Sequence, residues 1–356
     1  MKPIRIGLVG TGSISNMHMA GYKALEAQGK VELVAACDIN YERAKAWAEK
    51  YGFKEVYSDH TEMLKKSDID AISVCTWNNG HARITIDALR AGKHVLCEKP
   101  PAMTVEEALE MQKAEQESGK LLMIGFVRRF GDNAQLVKEF SDKGFFGQVN
   151  FSKICVTRRC GCPLGWFANS KLSGGGPLLD NGVHLIDLVR YLTGRPKAVS
   201  CYAMTYNNMG SRTNIKGVER YHSVDPSDFN DVEDLAVGMV KFDNGMSMSL
   251  EFSYSEELEE GKIGVEIYGS KGGAIVEPHL TLMTEMNDYL VNIVPQIDHP
   301  TFDFDKCFKE EIEHFVDSVN GETECRNRID DGVELMRIIT GMYESARVGH
   351  EVVIAR

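Results

Sequence analysis

Five short apolar runs mark the first 125 residues: IRIGLVG, VELVAACD, DAISVCT, HVLCE and LLMIGF. Polar residues scarcely interrupt them, as expected of parallel strands covered on both faces. The stretches between them, 13–28, 41–50, 79–91 and 104–119, have helical period. This alternation predicts a doubly wound parallel sheet over residues 1–124.

Beyond residue 145 the pattern changes to longer alternating runs, QVNFSKICVTRR, KAVSCYAMTY, DLAVGMVKF, GMSMSLEFSYS and KIGVEIYGS, with turn signals DNG and SKGG between them. Residues 125–356 are therefore expected to form an α+β domain with a large, mostly antiparallel open sheet. One helix is predicted over 178–193, and helices over about 305–347 are expected to pack back on the first domain. The stretch 207–231, rich in turn formers, is expected to be a long irregular loop.

Composition narrows the class. With 43% apolar and 26% charged residues the chain can bury a proper core. Its net charge of -12 repels phosphate backbones, so no nucleic acid is expected as a partner. No apolar run approaches a membrane span. The first strand begins too close to Met1 for a signal peptide, and the nine scattered cysteines fit a reduced cytoplasm. Cys155, Cys160 and Cys162 lack a fourth ligand at zinc-like spacing, so no metal is expected.

The turn GTGSI, with Gly10, Thr11, Gly12, Ser13 and Ile14, follows the first strand and opens a helix. Glycines there allow a tight turn and close approach to a pyrophosphate, which the helix N-terminus receives. Ser15 holds the third position of the fingerprint. Asp38 ends the second strand, where an acid accepts from ribose hydroxyls. That favours NAD over NADP, although Arg43 lies near enough in sequence to receive a 2′-phosphate.

Three further motifs follow: CTWNNGH at 75–81, HVLCEKPPAMT at 94–104 and GGGPLLDNGVHLIDLVRYLTG at 174–194. Together with the glycine turn they resemble the family of glucose-fructose oxidoreductase, inositol dehydrogenase and the rhizopine-catabolism dehydrogenases, often written Gfo/Idh/MocA. Thr76, Asn78 and His81 match its T-P-N-x-x-H loop, with Trp77 in place of proline. Glu98, Lys99 and Pro100 match its E-K-P loop, and Asp180 and His184 its last motif. GFVRRF and ESARVGHEVVI extend the likeness over nearly the whole chain.

The resemblance implies cofactor contacts from Thr76, Asn78, His81, Glu98 and Lys99, and a Lys99–Pro100 bond that is cis. It implies an NAD-dependent dehydrogenase acting on a sugar, cyclitol or related polyol. Two alternatives in the family remain open: glycoside cleavage through transient oxidation with bound NAD, and a sensor that has lost catalysis.

Chemistry supports Lys99, Asp180 and His184 as the catalytic set. Asp180 and His184 stand four apart on a predicted helix and share a face. A histidine accepts the hydroxyl proton near neutral pH, an acid orients it, and a lysine holds the alkoxide-like oxygen. The three glycines before Asp180 are expected to let a ligand approach. Arg129, Arg158, Trp166 and Tyr254 are candidate sugar contacts, whereas His18 reads as a packing histidine. An open sheet with helices on one face needs cover on the other, so a homodimer or homotetramer through it is expected.

Overall fold

The structure, a computed structural model, describes residues 2–218, 221–223 and 229–355. Of the loop expected at 207–231, positions 219, 220 and 224–228 lie outside the described residues. The chain divides into two units, Met1–Val127 with Phe304–Val333, and Arg128–Asp303 with Glu334–Arg356.

The amino-terminal part of the first unit runs β1 (Ile4–Val9), α1 (Ser13–Ala27), β2 (Val31–Cys37), α2 (Tyr41–Tyr51), β3 (Glu55–Tyr57), α3 (His60–Lys66), β4 (Ala71–Val74), α4 (Asn78–Arg90), β5 (His94–Glu98), α5 (Val105–Ser118) and β6 (Leu122–Gly125). Its six strands are all parallel, in the order β3-β2-β1-β4-β5-β6. The order reverses between β1 and β4, and ligands of such sheets bind outside the carboxyl ends of the strands at that point. The glycine turn after β1, the Thr76 loop after β4 and the Lys99 loop after β5 all leave from that edge.

The second unit adds α6 (Asp132–Asp142), β7 (Val149–Thr157), α7 (Ser170–Ser173), a π-helical turn (Leu178–Gly182) leading into α8 (Val183–Leu192), and β8 (Ala198–Tyr206). After these come β9 (Leu235–Phe242), β10 (Ser247–Ser253), β11 (Lys262–Gly269), β12 (Gly272–Glu277), β13 (Thr281–Met286) and β14 (Tyr289–Ile293). Then follow α9 (Phe304–Val319), α10 (Ile329–Val348) and β15 (Val352–Val353). The nine-stranded sheet runs β14-β13-β12-β11-β7-β10-β9-β8-β15, antiparallel except for the β7–β10 pair.

Helix α9 belongs to the first unit and lies against α1. The two approach closely at Gly21, where a Cβ would stand 2.7 Å from Ile312. In β8, a register shift between Ala198 and Ser200 changes the phase of alternation. Val199, Tyr202, Met204 and Tyr206 face outward, and Met239 pairs with Tyr202 on the same open face. Among the described residues, no helix is long and apolar enough to cross a membrane.

Arg129 is fully buried in the second unit and makes a two-pronged ion pair with Asp187 of α8, Nε to Oδ2 at 2.8 Å and Nη2 to Oδ1 at 2.5 Å. The Tyr191 ring lies 4.8 Å from the guanidinium. This corrects the expectation that Arg129 contacts sugar: its fork is occupied by a core carboxylate. Arg129→Met, which strands the Asp187 charge, is expected to lower the unfolding free energy in urea by about 3–5 kcal/mol. Arg129→Met combined with Asp187→Leu is expected to recover most of that loss.

Candidate active site

Gly10 and Gly12 serve different ends. Gly10 has φ +95°, and a Cβ there would stand 2.5 Å from the Cys75 carbonyl oxygen, so both conformation and the neighbouring strand end require glycine. Gly12 precedes α1 with φ -80° and has nothing within 4 Å of an added Cβ. No side chain caps α1, so its first N–H groups and the open space at Gly12 suit a phosphate. The buried Ser15 hydroxyl donates to the Gly12 carbonyl at 2.6 Å, which explains a serine at the third fingerprint position. Ser13 is exposed beside the turn and Ile14 half-buried.

Asp38 stands at the end of β2, 5% exposed. Its Oδ2 accepts from the Thr11 N–H and hydroxyl and from Arg43 Nε, at 2.8, 2.9 and 3.2 Å. Its Oδ1 accepts from the Asn40 N–H at 2.9 Å and Arg43 Nη2 at 2.6 Å. Burial opposes the charge, but the Arg43 guanidinium and these amides outweigh it and hold the carboxyl below its usual range. The carboxylate thus pins the glycine turn, and Arg43 sits where a ribose was expected.

In the second motif, Trp77 has φ -66°, the value proline would impose, so the replacement preserves the turn. Thr76 is half-buried and Asn78, the first residue of α4, is buried. His81 is 1% exposed and lies 2.7 Å from the Pro100 carbonyl and 3.0 Å from that of Thr76. Burial lowers its pKa, against the pull of both carbonyls. His81 ties the Thr76 and Pro100 loops together.

Lys99–Pro100 is cis. From Val95 to Ala102, Lys99 is the one residue that is not buried. Glu98 is 5% exposed, with Oε1 2.7 Å from His18 Nε2 and Oε2 accepting the Lys99 N–H at 3.2 Å.

Asp180 and His184 belong to the second unit. Between Gly175 and Leu192 only Asp180 and His184 escape full burial. In a helix otherwise enclosed, the open positions are a carboxyl and an imidazole four residues apart. The predicted continuous α-helix begins instead with the π-turn that holds Asp180; such single turns concentrate at functional sites. Asp180 Oδ2 accepts from the Tyr254 hydroxyl at 3.1 Å and from Asn181 Nδ2 at 3.3 Å. Asn181 Oδ1 in turn accepts from Arg158 Nη2 at 3.1 Å.

Tyr254, a candidate sugar contact, is fully buried and its hydroxyl is engaged by Asp180. Arg158 and Trp166 are half-buried, Trp166 stacked on Phe167 at 3.9 Å between ring centroids.

The glycines before this helix also differ from expectation. A Cβ at Gly175 would stand 2.1 Å from the Tyr343 hydroxyl, and one at Gly176 2.4 Å from the Glu233 carbonyl oxygen. The protein's own side of the loop, and not a ligand, demands them. Glu233 is 9% exposed and accepts from the Gly176 N–H at 2.8 Å, the Leu178 N–H at 3.2 Å and the Tyr343 hydroxyl at 2.9 Å. Burial pushes its carboxyl up against those donors. Glu233 and Tyr343 thus cap the helix start, and nothing in DVED or MYES marks them in the sequence.

The contrast between the glycines yields a test by calorimetry and thermal unfolding. Gly12→Ala is expected to unfold at the wild-type temperature but to bind NAD about tenfold or more weakly, a loss of ~1.4 kcal/mol or more. Gly10→Ala is expected to be destabilised by about 1–3 kcal/mol or more through backbone strain and its contact with Cys75.

The residues match two family models, one described as "Oxidoreductase family, NAD-binding Rossmann fold" over 4–126 and one as "GFO/IDH/MocA C-terminal domain" over 134–275. D-glucoside 3-dehydrogenase of Escherichia coli (strain K12) is 33% identical over 354 residues, 99% of this chain and 97% of that protein. Levoglucosan dehydrogenase of Pseudarthrobacter phenanthrenivorans is 28% identical over 292 residues, 77% of this chain and 74% of that one. A solved levoglucosan dehydrogenase in complex with NADH shares the fold with a TM-score of 0.85 at 23% identity, over 99% of this chain and 100% of that chain. With both halves matched and a relative aligned from end to end, this chain belongs to the Gfo/Idh/MocA family of NAD-binding oxidoreductases.

Proposed function

We propose that this protein oxidises a secondary hydroxyl of a sugar, with a glucoside as the favoured substrate class, and passes the hydride to NAD. The observation that carries the reading is the helix in which Asp180 and His184 alone remain accessible. The end-to-end likeness to a glucoside 3-dehydrogenase supports the substrate class.

When bound, NAD supplies the hydride acceptor. Its phosphates are assigned to the α1 N-terminus at Gly12, and its adenosine ribose to Asp38 in exchange for the Arg43 guanidinium. Thr76 and Asn78 are assigned to the cofactor as well, on the edge where the β4 loop emerges. His184 takes the hydroxyl proton, and Asp180, held by Tyr254 and Asn181, stabilises the imidazolium that results. Lys99 holds the oxygen as negative charge develops on it. Arg158 and Trp166 are assigned to the sugar.

The test is NADH absorbance across glucosides, anhydrosugars, inositols and free sugars. Wild-type protein is expected to reduce NAD with a glucoside, while Lys99→Ala binds NAD and loses about 10²-fold or more in kcat. Unchanged activity removes Lys99 from the mechanism. Sugar product without net NADH identifies redox-neutral glycoside cleavage, and tight NAD binding without any turnover identifies a sensor.

The reading extends to self-association. Val199, Tyr202, Met204, Tyr206 and Met239 form an exposed apolar face on the nine-stranded sheet, the kind of surface that oligomers cover. A homodimer or homotetramer is expected in light scattering; a monodisperse monomer would contradict it.

A further inference from the structure

Behind the Lys99 loop the first unit buries a set of polar side chains that the proposed chemistry does not use. His18 of α1, at 0% exposure, has Nε2 2.7 Å from Glu98 Oε1 and Nδ1 3.2 Å from the Ser73 hydroxyl of β4. Ser73 lies 2.7 Å from the hydroxyl of Tyr22, one turn further along α1. On its other oxygen, Glu98 receives the Lys99 N–H.

Helix α9 adds Glu311, also at 0% exposure. One of its oxygens accepts from Asn327 at 3.4 Å, and the other has no hydrogen-bond partner among the described residues. Burial, then the neighbouring Glu98 charge, pushes the Glu311 carboxyl well above its ordinary range.

Stability alone is a poor reason for such a set. Well-packed apolar residues of the same volume are often as stable as a buried charged network or more so. What this network does supply is position. Glu98 has little room to turn when one oxygen is held by an imidazole and the other by the amide of the next residue.

We infer that His18 is a positioning residue for the reaction: through Glu98 it fixes the backbone at Lys99. Helix α1 therefore serves twice, offering its N-terminus to the cofactor phosphates and, from its second turn, orienting the lysine loop. The inference rests on the assignment of Lys99 to the chemistry.

Around Glu98 stand His18 from α1, Cys75 after β4, Cys97 on β5, His81 from α4, Lys99 itself and Glu311 from α9. Burial raises both thiols and lowers His81. Without His18, one oxygen of Glu98 loses the partner that holds it, and the carboxyl group that receives the Lys99 N–H is freer to turn.

Two variants test this, His18→Leu, which removes the donor, and His18→Gln, which keeps an N–H of similar reach. His18→Leu is expected to bind NAD within about threefold of wild type and to lose about tenfold or more in kcat with KM little changed. His18→Gln is expected to recover much of the rate. Combining His18→Leu with Glu98→Gln is expected to be no slower than Glu98→Gln alone, since both act through one interaction.

Competitive reductive methylation read by mass spectrometry reports how the Lys99 amine is presented, and its labelling rate relative to the other lysines is expected to change in His18→Leu. Wild-type kcat and wild-type Lys99 labelling in His18→Leu would overturn the inference, as would strict additivity with Glu98→Gln. Should His18→Leu not fold, Ser73→Ala, which frees the imidazole on its far side, decides the matter: it is expected to move the labelling the same way, and no movement overturns the inference. If Lys99→Ala is fully active, the catalytic assignment of Lys99 falls, while the labelling still shows whether His18 governs that lysine.

Discussion

A carboxylate cut off from water must find donors, and this chain meets that demand with backbone N–H groups of the loops that carry its chemistry. Asp38 accepts from Thr11 in the glycine turn, Glu98 from Lys99, and Glu233 from Gly176 and Leu178 at the start of the Asp180 helix. Each acid is less than one-tenth exposed. Leaving such a charge without partners costs several kcal/mol, so a loop that drifts from its acid is penalised steeply. The acidic excess in the composition is therefore partly internal, holding loops in place.

The same constraint separates residues that face outward from residues that hold them. Lys99, Asp180 and His184 are the partly open positions in segments otherwise buried. Around them stand groups with their polar atoms already engaged: Tyr254 and Asn181 on Asp180, His18 on Glu98, and His81 between the Thr76 and Pro100 carbonyls. Reactive groups are accurate only as far as their supports are rigid. Here the supports are hydrogen-bonded on both sides, which limits how far each reactive group can move.

Much of this was legible in the residues. The strands of the six-stranded sheet announce themselves because parallel strands are apolar on both faces, and β7 to β11 by their alternation. The short, half-buried EVY of β3 escaped notice, as did α6 and the strands β13 and β14, because their apolar content is too small or too exposed to make a pattern. The π-turn at Asp180 escaped for a different reason: it lies against a distant segment, since a Cβ added at Gly182 would stand 3.1 Å from Phe252, a residue seventy positions away. Motif and chemistry singled out Lys99, Asp180 and His184. The sugar contacts proposed beside them fared less well, since an arginine or tyrosine reads the same in sequence whether it faces solvent or a core carboxylate.

By itself the sequence determined the two kinds of sheet, the glycine turn at the cofactor edge, and the chemical identity of the groups offered for hydride and proton transfer. Those depend on local period, on conformations only glycine tolerates, and on side-chain chemistry, all of which are written residue by residue. Only the tertiary structure decided which polar side chains are open and which are supports. It placed Arg129 on Asp187, Glu233 on the helix start, Arg43 on Asp38 and His18 on Glu98. The physical reason is that desolvation and hydrogen-bond partners come from segments far apart in the chain. Burial is therefore a property of the fold, and no single stretch of residues carries it.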